Sequence, residues 1–162
     1  MIRMLSRQPT AGDLRLLIAL SKTTANLERA GDEAAKIARK VTSIVNGLAP
    51  LALPFSELRV CGGLATELLR KTLDAFVRLE VPTALEILQN DGIFDREFDG
   101  FMRKLITYMM EDPRTISASL DLIFIAKSIE RIGDHSRNIA EFIIYIVEGR
   151  DVRHTPSKVA LD

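Results

Sequence analysis

A five-residue motif occurs twice in this chain of 162 residues. The segment Glu-Arg-Ala-Gly-Asp at residues 28–32 recurs as Glu-Arg-Ile-Gly-Asp at residues 130–134, which is 102 residues further along the chain. The agreement continues at the same spacing, since Ile37-Ala38 recurs as Ile139-Ala140. Self-similarity at a fixed spacing indicates two copies of one structural unit. We therefore expect a tandem repeat.

Apolar residues recur at steps of three and four along most of the chain, which is the pattern of amphipathic helices. Prolines, Asn-Gly and Asp-Pro separate the periodic segments. The four main helices predicted are Asp13 to Val45, Phe55 to Glu80, Pro82 to about Met110, and about Pro113 to Glu148. The predicted fold class is all-α, with helices packed as bundles.

The two copies of the motif are preceded by different lengths of chain. Two predicted helices come before the motif helix in the second copy, whereas only about 12 residues come before it in the first. We therefore expect tandem three-helix bundles of which the first is incomplete. The expected units are residues 1–50, a remnant of the first repeat, residues 51–150, the complete second repeat, and residues 151–162, a flexible tail. The first helix would carry an apolar stripe about 50 Å long, and such a stripe favours a homo-oligomer, expected to be a dimer.

Charge and cysteine content restrict the classes of partner. The 22 basic side chains cancel the 22 acidic ones, so the broad positive field used in nucleic-acid binding is missing. The single cysteine, Cys61, cannot form an intramolecular disulfide, which favours a cytoplasmic location. No apolar run approaches the ~18 residues that span a bilayer, and at most peripheral membrane association is expected.

Carboxylates spaced four residues apart suggest a metal centre. Residues at this spacing share one helix face, with Cβ atoms about 6 Å apart, and carboxylate oxygens are ligands for hard cations. The candidate ligands are Asp91, Asp95, Asp99, Glu130, Asp134, Glu28 and Asp32. If the third and fourth predicted helices pack antiparallel, their acidic stripes face each other and form a carboxylate cage. The ordinary alternative for a lone pair is a solvated helix face.

Two mid-helix glycines add to the metal hypothesis. Gly31 and Gly133 each precede the Asp of the motif, and glycine costs about 1 kcal/mol relative to alanine in a helix interior. Close approach of a neighbouring helix or of a hydrated metal would compensate this cost.

Residues typical of enzyme sites are scarce. His135 follows Asp134 and points about 100° away from it along the helix, so it is interpreted as a core or surface histidine. The Glu-x-x-His spacing of di-iron bundles is missing, since the residue three after Glu130 is Gly133. No phosphate-binding loop or nucleophile elbow is visible, and the protein is not expected to be an enzyme.

Several segments, taken in order, resemble the PhoU family. They are Arg7 to Arg15, Leu27 to Asp32, Asp91 to Asp99, Tyr108 to Asp112, and Ser128 to Asp134. The resemblance extends from about Arg3 to His154. It implies tandem three-helix bundles with multinuclear metal sites, and a role in repressing the phosphate-starvation response through a phosphate ABC transporter and its sensor histidine kinase.

The family's metal motifs can be carried over residue by residue. The second motif pair would be Asp91, Asp95, Asp99, Glu130 and Asp134, and half of the first would be Glu28 with Asp32. The expected cofactor is a divalent or ferric ion, namely iron, manganese, magnesium or zinc.

The resulting prediction is a regulator of phosphate uptake and phosphate-starvation signalling that contacts the transporter ATPase and the sensor kinase. Two alternatives remain open. One is a carboxylate-bridged metalloprotein of the di-iron enzyme type. The other is a purely structural helical interaction module whose acidic stripes bind nothing.

Overall fold

The computed structural model of the protein describes residues 10–47, 53–89 and 92–152, and of residues 92–96 it describes the backbone alone. These segments form five α-helices and one 3₁₀ turn. In chain order they are α1 (Ala11–Asn46), α2 (Phe55–Arg78), α3 (Val81–Gln89), α4 (Gly92–Glu111), the 3₁₀ turn (Pro113–Thr115) and α5 (Ile116–Glu148). No strand occurs in the described segments, and the predicted all-α fold class is confirmed.

The third predicted helix, from Pro82 to about Met110, is wrong as a single element. The structure has α3 and α4 in this span, and residues 90 and 91 lie outside the described part. The sequence Asn90-Asp91-Gly92 gives a physical reason, since Asn and Asp favour the position before a helix and Gly favours helix ends. Five main helices are therefore present in the described ranges, in place of the four predicted.

Helix α1 begins at a capping box. The Thr10 Oγ1 accepts a hydrogen bond from the Asp13 amide at 3.2 Å, and Asp13 Oδ2 accepts one from the Thr10 amide at 2.9 Å. These bonds satisfy backbone donors that have no partner within the first helical turn. The Thr10 hydroxyl also donates to Asp13 Oδ2 at 2.8 Å, and this bond, followed by that from the Thr10 amide, lowers the pKa of Asp13.

Helix α5 is central, and each of the other four helices packs against it. Its first half shares a hydrophobic core with α4 and the start of α2, through residues such as Leu122 and Phe101. Its second half shares a second core with α3 and the end of α2, through residues such as Ile143 and Ile87. Apolar residues on several faces of α5 are therefore buried against other helices.

Helices α1 and α5 run antiparallel. Near one end of the interface between α1 and α5, Lys40 forms a salt bridge with Asp121 at 2.7 Å. Beyond the middle of this interface, Asn26 accepts a hydrogen bond from Asn138 at 3.1 Å. In this register the two copies of the repeated motif lie beside each other and run in opposite directions.

The two copies share sequence but differ in burial. Leu122 and Ile143 of α5 are 0% exposed, whereas the corresponding residues of α1, Leu20 and Val41, are 43% and 44% exposed. The face of α5 that packs against α2 to α4 thus corresponds to a solvent-exposed face on α1.

The division of the chain into two repeats stays a prediction. Residues 153–162 of the predicted tail lie outside the described residues.

The described ranges contain no helix that is both long enough and apolar enough to cross a bilayer.

Candidate functional site

A charged cleft of about 350 Å³ lies on the seam between α1 and α5. It is lined by Arg29, Asp32, Glu33, Lys36, Arg131, Asp134 and His135. Asp32 and Asp134 are the last residues of the two motif copies, and the antiparallel packing places both at one cleft. The sequence motifs predict that these two carboxylates belong to separate metal sites, because local patterns do not reveal the pairing of α1 with α5.

Glu33 forms the buried carboxylate of this cleft. Its side chain is 7% exposed, and its Oε1 accepts hydrogen bonds from Lys36 Nζ at 2.7 Å and from an Arg131 Nη1 at 3.3 Å. Burial alone would raise the pKa of Glu33, but the donors of Lys36, Ser128 and Arg131 outweigh burial and lower the pKa to about 2. The carboxylate is therefore ionised at neutral pH and joins α1 to α5.

Glu33 is not among the predicted site residues, although the sequence carries a signal for it. Ala30, Glu33 and Ile37 follow one another at steps of three and four, which places a carboxylate on the packed stripe of α1. A charge at such a position is expected to have a partner from the facing helix.

His135 lines the cleft and also contacts the polar residues next to it on α1. Its Nδ1 lies 3.0 Å from Asn26 Oδ1, which also accepts a hydrogen bond from Asn138 Nδ2 at 3.1 Å. Burial lowers the pKa of His135, and the nearby Arg29 and Arg131 lower it further while Glu33 opposes them. The imidazole therefore favours its neutral form and a role in joining α1 to α5.

The α5 pair predicted to bind metal has cationic neighbours on its own helix. Glu130 Oε2 accepts a hydrogen bond from Lys127 Nζ at 2.6 Å, and Asp134 pairs with Arg137. Both carboxylates are half-buried. A bound cation would have to replace Lys127 and Arg137 as their partner.

Of the other predicted ligands, some are exposed to solvent and the rest have side chains that the structure does not describe. Glu28, Asp32 and Asp99 have exposed side chains. Asp91 lies outside the described residues, and the structure gives only the backbone of Asp95. Among the side chains that are described, no three from His, Cys, Asp and Glu form a group that could hold a metal ion.

The alignment of α4 with α5 nevertheless agrees with the arrangement needed for the predicted carboxylate cage. Lys127 Nζ lies 4.5 Å from the centroid of the Phe98 ring, and Thr115 Oγ1 donates to the Tyr108 carbonyl at 3.1 Å. The two helices therefore run antiparallel, and this register brings position 95 level with Glu130. Convergence of the carboxylates themselves stays a prediction.

The expected close approach of a neighbouring helix at the two motif glycines is wrong, whereas that of a hydrated metal stays a prediction. A Cβ atom at Gly31 would have no neighbour within 4 Å, and one at Gly133 would meet Leu68 Cδ2 at 4.0 Å, an ordinary contact distance. Neither position requires glycine for packing among the described atoms.

The sequence matches the PhoU domain family over residues 1–41 and 58–143. The phosphate-specific transport system accessory protein PhoU homolog of Pseudomonas aeruginosa is 48% identical over 155 residues, which are 94% of this chain and 63% of the relative. The phosphate-specific transport system accessory protein PhoU of Escherichia coli is 47% identical over 149 residues, which are 91% of this chain and 61% of the relative. The chain thus spans less than two thirds of the length of either protein.

Two crystal structures have the same fold. The structure of PhoU from Pseudomonas aeruginosa superposes with a TM-score of 0.84 at 45% identity, covering 92% of this chain and 71% of that one. The structure of the phosphate transport system regulatory protein PhoU from Streptococcus pneumoniae gives a TM-score of 0.79 at 30% identity, covering 93% and 70% of the two chains.

Proposed function

The chain belongs to the PhoU family, and on that premise we propose that it regulates phosphate uptake and phosphate-starvation signalling. The observation that carries this proposal is the 48% identity over 155 residues to an accessory protein of a phosphate-specific transport system. Identity at this level extends over both motif copies and all five helices. It therefore supports a shared role as well as a shared fold.

The proposed action is contact with other proteins, without catalysis. The names of the relatives describe an accessory of a transporter, which supports binding to the transport machinery. The proposed partners are the ATPase of a phosphate transporter and a sensor histidine kinase, which the protein would meet on the cytoplasmic side of the membrane.

A phosphate-starvation reporter tests the proposal. The chain would be expressed in a Pseudomonas aeruginosa strain that lacks its PhoU homolog, with the full-length homolog as the positive control. We expect the chain to restore repression of the reporter in phosphate-rich medium. A reporter that stays active, while the chain is present in folded form at the level of the control, would reject the proposal.

We further propose that α4 and α5 hold a metal ion between them. Asp91, Asp95 and Asp99 from one side would join Glu130 and Asp134 from the other, with Glu28 and Asp32 as half of a second site. The antiparallel register of the two helices supports this arrangement, and carboxylate oxygens suit iron, manganese, magnesium or zinc. The ion would neutralise the clustered carboxylates and so fix α4 against α5.

Elemental analysis of the purified chain tests the metal proposal. Asp95→Asn combined with Glu130→Gln is expected to lower the metal content per chain to background, and to abolish the rise in melting temperature that added Mn²⁺ produces. Asp74→Asn, at an exposed position of α2, is the matched control and should retain both properties. Equal metal content in the double variant and the control would eliminate this site.

A homodimer is the proposed assembly. An apolar groove of about 690 Å³ lies between α1 and α2, where α5 also lines it, and its lining includes Leu27, Ile37 and Leu69. Since the exposed face of α1 repeats the buried face of α5, a second copy of the chain is the proposed partner for it.

A further inference from the structure

Helix α5 carries an exposed apolar stripe near its start. Ile116, Leu120 and Phe124 are 42%, 46% and 56% exposed. They are spaced four residues apart, so they stand on one face of the helix. Most other large apolar residues of α5, such as Leu122 and Ile125, are buried. We call these three residues the α5 stripe.

The α5 stripe lies between α1 and α4. On one side, Lys40 of α1 pairs with Asp121 and sits 4.9 Å from the centroid of the Phe124 ring. On the other side, Lys127 lies over the ring of Phe98 of α4. The stripe is thus the floor between two flanking helices.

Positive charge continues the same face of α5 beyond the stripe. Lys127 and Arg131 follow Phe124 at steps of three and four, and their side chains are 51% and 61% exposed. Their acidic partners are more buried, with Glu130 30% exposed and Glu33 7% exposed. In both of these ion pairs, the cation is therefore the more exposed member.

We infer that this face docks an amphipathic helix of a partner protein that carries acidic residues in its first turns and apolar residues in its last turns. The face from Ile116 to Arg131 is about 22 Å long at 1.5 Å per residue, which is the length of a helix of four turns. Apolar anchors one turn apart match the spacing of the α5 stripe, and an apolar helix face laid between two helices is a recurring mode of peptide recognition.

The charge order fixes the direction of the docked helix. Acidic residues stabilise a helix at its N-terminus, so a partner with glutamates in its first turns would place them over Lys127 and Arg131. Its apolar last turns would then lie over the α5 stripe, with the partner antiparallel to α5. This inference deepens the proposed function and rests on it, because it names a surface through which the chain would contact a partner.

A synthetic peptide tests the inference without any of the proposed partners. The probe is a fluorescein-labelled helix of about five turns, with two glutamates followed by three leucines, each one turn apart. Fluorescence anisotropy is expected to detect binding that weakens when the salt rises from about 50 to about 300 mM. Leu120→Asp should weaken binding at least about tenfold. Val77→Asp, at an exposed apolar residue of α2, is the matched control and should leave it unchanged.

A reversal of charge on the chain and on the peptide distinguishes loss of the docking face from loss of folding, because a misfolded variant would bind neither peptide. Lys127→Glu should weaken binding of the glutamate peptide and strengthen binding of a peptide with lysines in place of the glutamates. Equal binding of a scrambled peptide, or binding that Leu120→Asp leaves intact, would overturn the inference. Binding of anionic vesicles without peptide binding would overturn the inference and indicate a membrane surface as the ligand of this face. Self-association that Leu120→Asp alone abolishes would overturn it and indicate a second copy of the chain as the ligand. Each of these failures would leave the reporter test of phosphate regulation unaffected.

Discussion

At the scale of single residues, Glu33 and the motif glycines show how tertiary packing decides the role of a side chain. Glu33 is the neighbour of a predicted ligand, yet its contacts are Lys36 and Arg131 on the seam between α1 and α5. The motif glycines have room for a side chain at both positions. Spacing in the sequence marked this region, but the facing helix determines what each residue does there.

The Gly133 position gives a prediction of increased stability. Gly133→Ala should raise the free energy of unfolding by about 0.5–1 kcal/mol, because alanine is the better helix former and its Cβ would meet Leu68 at an ordinary distance. Urea denaturation measures the change. Gly149→Ala is the control with the opposite sign, since Gly149 has a φ of 71° and alanine there is strained. A loss of stability in Gly133→Ala would mean that glycine is required at the motif after all.

The lowered pKa of Glu33 gives a pH prediction. The pKa is about 2 in the folded chain against 4.5 for the ordinary carboxyl, so the folded state binds fewer protons than the unfolded state. The stability that Glu33 contributes is present above about pH 4.5 and is lost as the pH falls towards 2. Glu33→Gln should lower the free energy of unfolding by about 1–2 kcal/mol at about pH 6, and by less at about pH 3.

Urea denaturation at the two pH values checks this prediction. Glu86→Gln is the control, because Glu86 is 58% exposed in its pair with Lys71 and an exposed pair contributes at most about 1 kcal/mol. A deficit in Glu33→Gln that does not shrink at low pH would show that the carboxylate charge is not what joins the helices.

At the scale of elements, the sequence predicted the long helices well and their packing poorly. α1, α2 and α5 were placed to within a few residues, because apolar periodicity sustained over many turns is a strong signal. The break between α3 and α4 was missed, because the periodicity on both sides outweighed the Asn-Asp-Gly segment. The common cleft of Asp32 and Asp134 was missed for a different reason, since the pairing of α1 with α5 is a contact between distant segments that local patterns do not encode.

The polar contacts between α1 and α5 give a prediction at this scale. Asn26 is 8% exposed and accepts hydrogen bonds from Asn138 and from the neutral His135 ring. Asn26→Ala should lower the free energy of unfolding by about 1–3 kcal/mol, because it leaves half-buried donors without their acceptor. Thr24→Ala, at an exposed position of the same helix, should change it by less than about 0.5 kcal/mol. Equal effects of the two substitutions would count against a structural role for this cluster.

At the scale of the whole molecule, the repeat carries the largest consequence. α5 is covered on several sides, whereas the equivalent face of α1 is exposed, and large exposed apolar faces favour association. Light scattering at micromolar concentration should give the mass of a dimer. Leu27→Glu combined with Val41→Glu should shift the mass to that of the monomer, whereas Val77→Glu, on α2, should not. A wild-type chain that is monomeric throughout would refute the proposed dimer.

The most direct test of the whole account joins the metal site to regulation in one measurement. The phosphate-starvation reporter would be read in cells that express the chain, its Asp95→Asn plus Glu130→Gln variant, or its Asp74→Asn variant at equal levels. We predict that the chain and Asp74→Asn repress the reporter in phosphate-rich medium and that the double variant does not. Full repression by the double variant would contradict the claim that carboxylates facing each other across α4 and α5 are required for phosphate regulation.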